Sequence, residues 1–131
     1  MSGISEFNAA ANADIGREHE IQLGLLRELC RAAGGSGDPD LVGEILQRLI
    51  DYSEAHFASE ELLMRMKSYD DYEDHVEDHS QILDALRDVA AKHRRGESAL
   101  VAGRATETLD FVDRHIATRD RRFADYVRNN L

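Results

Sequence analysis

The sequence predicts an all-α protein, an antiparallel up-down-up-down four-helix bundle, and three observations predict it. Four segments repeat apolar residues at steps of three and four, the spacing of one helix face. The stretches between them are short and rich in Gly, Ser, Asp or Pro, and connections of about four to six residues force consecutive helices to lie antiparallel. The 131 residues include one Pro and are 42% hydrophobic, enough to bury the core of one ordinary domain and not of two.

The first helix is expected from near Asp14 to just before Gly34-Gly35, with Leu23, Leu26 and Leu29 on one stripe with His19. Residues 1–13 read as an N-terminal arm of a single 1–131 domain, either packed or loose. Asp38 then offers an N-cap and Pro39 a first helical residue with its φ already set. The second helix follows to about residue 66, with Val42, Ile45, Leu46, Leu49, Ser53, His56, Phe57, Glu60 and Met64 on its inner face. After KSYDD, a third helix turns Tyr72, His75, Val76, His79, Ile82, Leu83, Leu86, Val89 and Ala90 inward and ends near Gly96. Ser98 is expected to cap the fourth, which carries Val101, Ala105, Thr108, Val112, His115, Ile116, Phe123 and Val127 on a related face. Its stripe is less regular than the other three.

Charge narrows the partners. With 26 acidic and 16 basic side chains and a net charge of -10, the chain repels phosphate backbones and anionic lipid, so neither nucleic acid nor a membrane surface is an expected partner. No apolar run is long enough to span a bilayer, and the first residues lack the basic and apolar regions of a leader. Cys30 is the only cysteine, which excludes an intramolecular disulfide; it reads as a small buried apolar residue, and a reducing cytoplasm is the expected compartment.

Metal-competent residues interrupt the apolar stripes at one level of the bundle. His56 and Glu60 stand four apart on the second helix and His75 and His79 four apart on the third, so each pair projects from one face. In an antiparallel bundle these pairs converge with His19 near the start of the first helix and with His115 and Asp120 in the C-terminal half of the last. Five imidazoles and two carboxylates buried with no partner would make a poor core, because an unpaired buried carboxylate costs several kcal/mol or must be protonated. A bound metal removes that cost. Seven donors of nitrogen and oxygen, without thiolate, exceed one tetrahedral zinc and suit two ions of iron or another transition metal of higher coordination. If Glu60 and Asp120 each bridge through both oxygens and a solvent oxygen bridges as well, two octahedral ions keep one open position for a small ligand. His93 continues the third stripe but lies roughly 21 Å beyond His79 along the axis, too far to join them. Glu61 points about 100° away from Glu60 and reads as solvated, and Tyr72 as either packing or a hydrogen-bond partner of a histidine.

The motifs HFASEELLM (His56 to Met64), HVEDH (His75 to His79) and HIATRD (His115 to Asp120), preceded by His19, resemble the HFxxEE, HxxxH and HxxxxD signature of the hemerythrin family, and the match covers nearly the whole chain. The resemblance implies a di-iron centre with an oxo or hydroxo bridge. It places His75, His79 and His115 on one iron and His19 and His56 on the other, with Glu60 and Asp120 bridging. It further implies reversible binding of dioxygen, as a peroxide, at the five-coordinate iron, for sensing, delivery or storage, with a signalling partner or fused domain as one context. A di-iron oxidase, peroxidase or nitric oxide reductase using the same vacancy is the alternative. Phe57, Phe111, Val112 and Ile116 fit the apolar oxygen pocket of the family. Gln22 stands where a leucine is common; it either donates to the bound ligand, admits water, or turns toward a helix interface. The chain also departs from many bacterial members in having no Trp, and in having KSYDDY where a Tyr-Pro turn is usual.

Overall fold

The computed structural model describes residues 3–35 and 38–129. Its helices are α1 (Gly3–Gly34), α2 (Pro39–Met66), α3 (Tyr72–Arg94), α4 (Ser98–His115) and α5 (Arg121–Asn129), the last two joined by one π-helical turn, Ile116–Asp120. His115, Ile116 and Arg121 keep helical backbone angles across that turn, so α4, the turn and α5 form a single rod. Rods adjacent in the chain pack side by side and the last closes on α1, which makes an up-down-up-down four-helix bundle.

The local signals act largely as their chemistry requires. Asp38 accepts a hydrogen bond from the Asp40 amide at 3.0 Å and Pro39 follows it, opening α2. Gly96, at φ 72°, closes α3: its amide donates to His93 O and that of Glu97 to Lys92 O. That turn moves the start of α4. Ser98 is its first helical residue, not its cap, because the Glu97 carbonyl already accepts from Val101 N at 3.0 Å.

The largest departure from expectation is at the N-terminus. The helix starts at Gly3 and not near Asp14, so the described part of the expected arm is a continuation of α1. Residues 7–13 (FNAAANA) contain no helix breaker, and this segment has a docking partner in α5. Asn8 Nδ2 donates to Val127 O at 3.0 Å and Asn12 Nδ2 to Ala124 O at 3.1 Å, so side chains of α1 bond the backbone of that short helix, Val127 O lying in its last turn.

Two apolar clusters fill the bundle. The larger joins Leu23, Leu26, Leu29, Leu46, Leu49, Phe57, Ile82, Leu86, Ala105 and Val112. The smaller joins Leu63, Met64, Tyr69, Phe123 and Val127, with Ala11 and Ile15 of α1 packed on it. No described helix is long and apolar enough to cross a membrane. Cys30 is only half-buried, packed on the edge of the larger cluster.

Candidate metal centre

Along every rod the polar residues of interest fall between the two apolar clusters: His19 between Ile15 and Leu23, His56 and Glu60 between Leu49 and Leu63, His75 and His79 between Tyr69 and Ile82, His115 and Asp120 between Val112 and Phe123. They form one polar layer sealed on both sides. Glu60 is 1% exposed and Asp120 5%, so neither charge is met by bulk water.

The fourth rod needs a special backbone to contribute both of its residues. Residues five apart on an α-helix differ by about 140° in direction. In the turn Ile116–Asp120 the Arg121 amide reaches Ile116 O, five residues back, and this one-residue widening brings Asp120 inward beneath His115. It also explains the irregular stripe. Val101, Ala105, Thr108, Val112 and His115 keep one phase, and Asp120, Phe123 and Val127 resume it one residue late.

All seven predicted residues come together, and the carboxylates divide the imidazoles between their oxygens. His19 Nε2 lies 2.7 Å from Glu60 Oε2 and 3.0 Å from Asp120 Oδ2, and His56 Nε2 lies 3.2 Å from Glu60 Oε2. On the other side, His79 and His75 approach Glu60 Oε1 at 3.0 and 3.4 Å, while His75 and His115 approach Asp120 Oδ1 at 2.6 and 3.0 Å. Two donor sets result, one of Glu60, His75, His79, His115 and Asp120 and one of His19, His56 and Glu60.

The donor atoms fit a metal site. Donors about 2.1 Å from a shared ion and at right angles to one another lie about 3 Å apart, the spacing seen here. Although they lie close to one another, the buried Nε2 atoms of His56, His79 and His115 and Glu60 Oε1 make no well-aligned hydrogen bond among the described residues, whereas such atoms are ordinarily satisfied.

Without metal, protons replace its charge. Burial lowers the His19 pKa, but its hydrogen bonds to Asp120 and Glu60 and the negative charge of both carboxylates outweigh it and raise the value to about 10. His75 rises to about 9 against the same burial and through the same two carboxylates, and His56 is raised chiefly through Glu60. Burial pushes Glu60 and Asp120 upward, yet the surrounding imidazoles hold both well below the usual carboxylate range.

Three acids stand behind the histidines, and each is lent by the preceding helix. Glu18 of α1 accepts from His56 Nδ1 of α2 at 2.8 Å, Glu61 of α2 from His79 Nδ1 of α3 at 2.8 Å, and Asp78 of α3 from His115 Nδ1 of α4 at 2.9 Å. These bonds fix ring orientation and leave Nε2 facing inward. Glu61 is therefore not a solvated residue: the rotation that carries it away from Glu60 carries it onto α3. Glu18 and Asp78 escape a sequence reading because their partners lie on other helices, although each directly precedes a histidine of the cluster. Tyr72 is not a histidine partner either; its hydroxyl accepts from Arg65 at 2.9 Å.

Of the predicted pocket residues, Phe57 stacks on His79 at 3.9 Å between centroids and lies 5.6 Å from His56. Val112 is fully buried in the larger cluster, and Ile116 borders a cleft between α1 and the π-turn that reaches His19 and Asp120. Phe111 packs on the larger cluster from an outer groove between α3 and α4 whose lining includes none of the seven residues. Gln22 takes the interface alternative, its Nε2 donating to Ser53 Oγ at 2.9 Å. His93 lies beside Gly43 at the opposite end of the bundle.

Comparison with known proteins gives a consistent picture. The profile of the Hemerythrin HHE cation binding domain matches residues 11–127. The chain is similar to a bacteriohemerythrin of Methylococcus capsulatus, with 28% identity over 104 residues that cover 79% of each chain. It is also similar to a myohemerythrin of Theromyzon tessulatum, with 37% identity over 54 residues, 41% of this chain and 45% of that one. No solved structure matches.

Proposed function

This chain belongs to the hemerythrin family, and from that premise we propose that it holds two iron ions and binds dioxygen reversibly, for sensing, delivery or storage, rather than acting as an oxidase, peroxidase or nitric oxide reductase. His75, His79 and His115 would hold one ion and His19 and His56 the other, with Glu60 and Asp120 as the carboxylates shared between them. The observation that carries this reading is the division of the carboxylate oxygens, Oε1 and Oδ1 toward three imidazoles and Oε2 and Oδ2 toward the other two. When bound, the ion pair supplies the two electrons that a dioxygen ligand takes up and returns.

The protein's own part is orientation and exclusion. Glu18, Glu61 and Asp78 fix three rings through Nδ1, so the Nε2 atoms are placed before metal arrives. Phe57 and Val112 wall the layer with carbon, which keeps water and stray protons from it. The cleft lined by Ile15, Gly16, Ile116 and Ala124 leads to His19 and Asp120, on the side of the donor set with fewer imidazoles, and would give a diatomic ligand its approach.

Iron analysis and optical spectra test the proposal. Two irons per chain are expected, with charge-transfer bands that appear when the reduced protein meets oxygen and vanish on deoxygenation. Glu60→Ala is expected to lose stoichiometric two-iron loading, and full loading of that variant would overturn the bridge. Irreversible oxidation, or turnover with peroxide, would carry the enzyme reading instead.

A further inference from the structure

We propose that Arg119 is a positioning residue that holds Asp78 against His115 and draws charge from it, making this acid–histidine pair a weaker electron donor than the other two. Asp78 Oδ2 receives both partners, His115 Nδ1 at 2.9 Å and Arg119 Nε at 2.8 Å. Glu18 and Glu61 make the equivalent bonds to His56 and His79, yet among the described residues no Lys or Arg pairs with either. The three outer acids are therefore unequal.

The placement of Arg119 follows from the π-turn. The widening that turns Asp120 inward leaves Arg119 on the flank of the rod facing α3. There its Nη1 reaches Asp71 at 3.3 Å and Asp74 at 3.9 Å. Asp71, just before α3, and Asp74 and Asp78 on its first turns stand at steps of three and four, a track of carboxylates that fixes the guanidinium. Arg122 shares Asp71 at 3.2 Å. Asp78 is largely shielded, which keeps its interaction with Arg119 from being screened as a surface pair would be.

The electronic consequence has a definite sign. A carboxylate accepting from an imidazole N–H makes the ring a stronger donor at its other nitrogen. A cation on the same oxygen takes up part of that negative charge and weakens the push. One backbone turn thus supplies an inward carboxylate and, one residue earlier, the cation that moderates a neighbouring histidine.

The redox arm of the test rests on the two-iron reading; the metal-free arm does not. Arg119→Gln retains a hydrogen-bond donor without charge, and Arg119→Lys retains charge. In the metal-free protein the His115 Nδ1–H proton resonance is expected to move downfield in Arg119→Gln and to stay near the wild-type position in Arg119→Lys. In the iron-loaded protein the Arg119→Gln midpoint potential is expected to fall by about tenfold in the ferric-to-ferrous ratio, ~59 mV for a one-electron couple, with Arg119→Lys close to wild type. Iron content separates the two ideas: wild-type protein that fails to load two irons sinks the di-iron reading, while the His115 resonance still judges Arg119. Unchanged resonance and potential in Arg119→Gln, or equal shifts in the Lys and Gln variants, would overturn the proposal.

Discussion

Gln22 and Ser53 are both enclosed, and the 2.9 Å hydrogen bond between them ties α1 to α2 one turn away from His19 and His56. Each hydrogen-bonding group depends on the other, because the surrounding larger cluster is apolar. Gln22→Leu is expected to cost about 1 kcal/mol, the usual toll when one partner of a buried hydrogen bond is removed. Gln22→Leu combined with Ser53→Ala is expected to recover most of it, since both polar groups then leave together. Urea denaturation of the two single variants and the double variant measures the coupling, and simple additivity would show that the pair is not a unit. Glu18, Glu61 and Asp78 teach a related lesson: an acid's effect is set by the neighbouring helix it reaches, not by the face it occupies on its own.

At the level of elements, the two turns that end α2 and α3 use the same hydrogen-bond pattern with different residues. After α2, Ser68 takes φ 53°, its amide donates to Arg65 O, and the Tyr69 amide donates to Met64 O. After α3, Gly96 occupies the equivalent left-handed position. A side chain there meets the following carbonyl, which a glycine avoids. Ser68→Gly is expected to stabilise the protein by about 0.5–1 kcal/mol, and Gly96→Ala to destabilise it by about 1 kcal/mol. Thermal or urea unfolding of both checks the sign, and a destabilised Ser68→Gly would mean that the serine side chain contributes more than its backbone strain costs. The π-turn is the third special element, and it alone gives the fourth rod two inward polar residues five apart.

Across the whole molecule, a charged layer divides two apolar cores, and its protonation links pH to folding. His19 and His75 titrate near 10 and 9 in the metal-free fold, above their ordinary 6.5. Their contribution is therefore complete below about pH 6.5 and is lost as pH rises through 9 to 10. Glu60 and Asp120 have the opposite sign: depressed when folded, they contribute above the usual carboxylate range and lose that contribution as pH falls. Metal-free protein is expected to show a falling Tm between pH 7 and 10. Metal binds neutral imidazole, so loading releases those protons and removes the alkaline decline. Parallel Tm–pH profiles of the metal-free and loaded forms would contradict this linkage.

The four rods and the membership of the polar cluster are already legible in the order of residues along the chain. Helical periodicity fixes which residues share a face, and His56/Glu60 and His75/His79 at four apart need no tertiary information to point together. The Asp38-Pro39 start and the Gly96 stop are likewise local chemistry. Contacts between distant segments decided the rest. Residues 3–13 read as an arm because their helix is completed by Asn8 and Asn12 reaching α5, more than a hundred residues away in sequence. Glu61 gained a histidine across an interface, and Gln22 met Ser53 on another rod, whereas Ser98 lost its capping role to a local cause, the turn just before it. The five-residue spacing of His115 and Asp120 was visible in the sequence, but only the bundle's need to bury both residues converts it into a π-turn, because an isolated helix gains nothing from that widening.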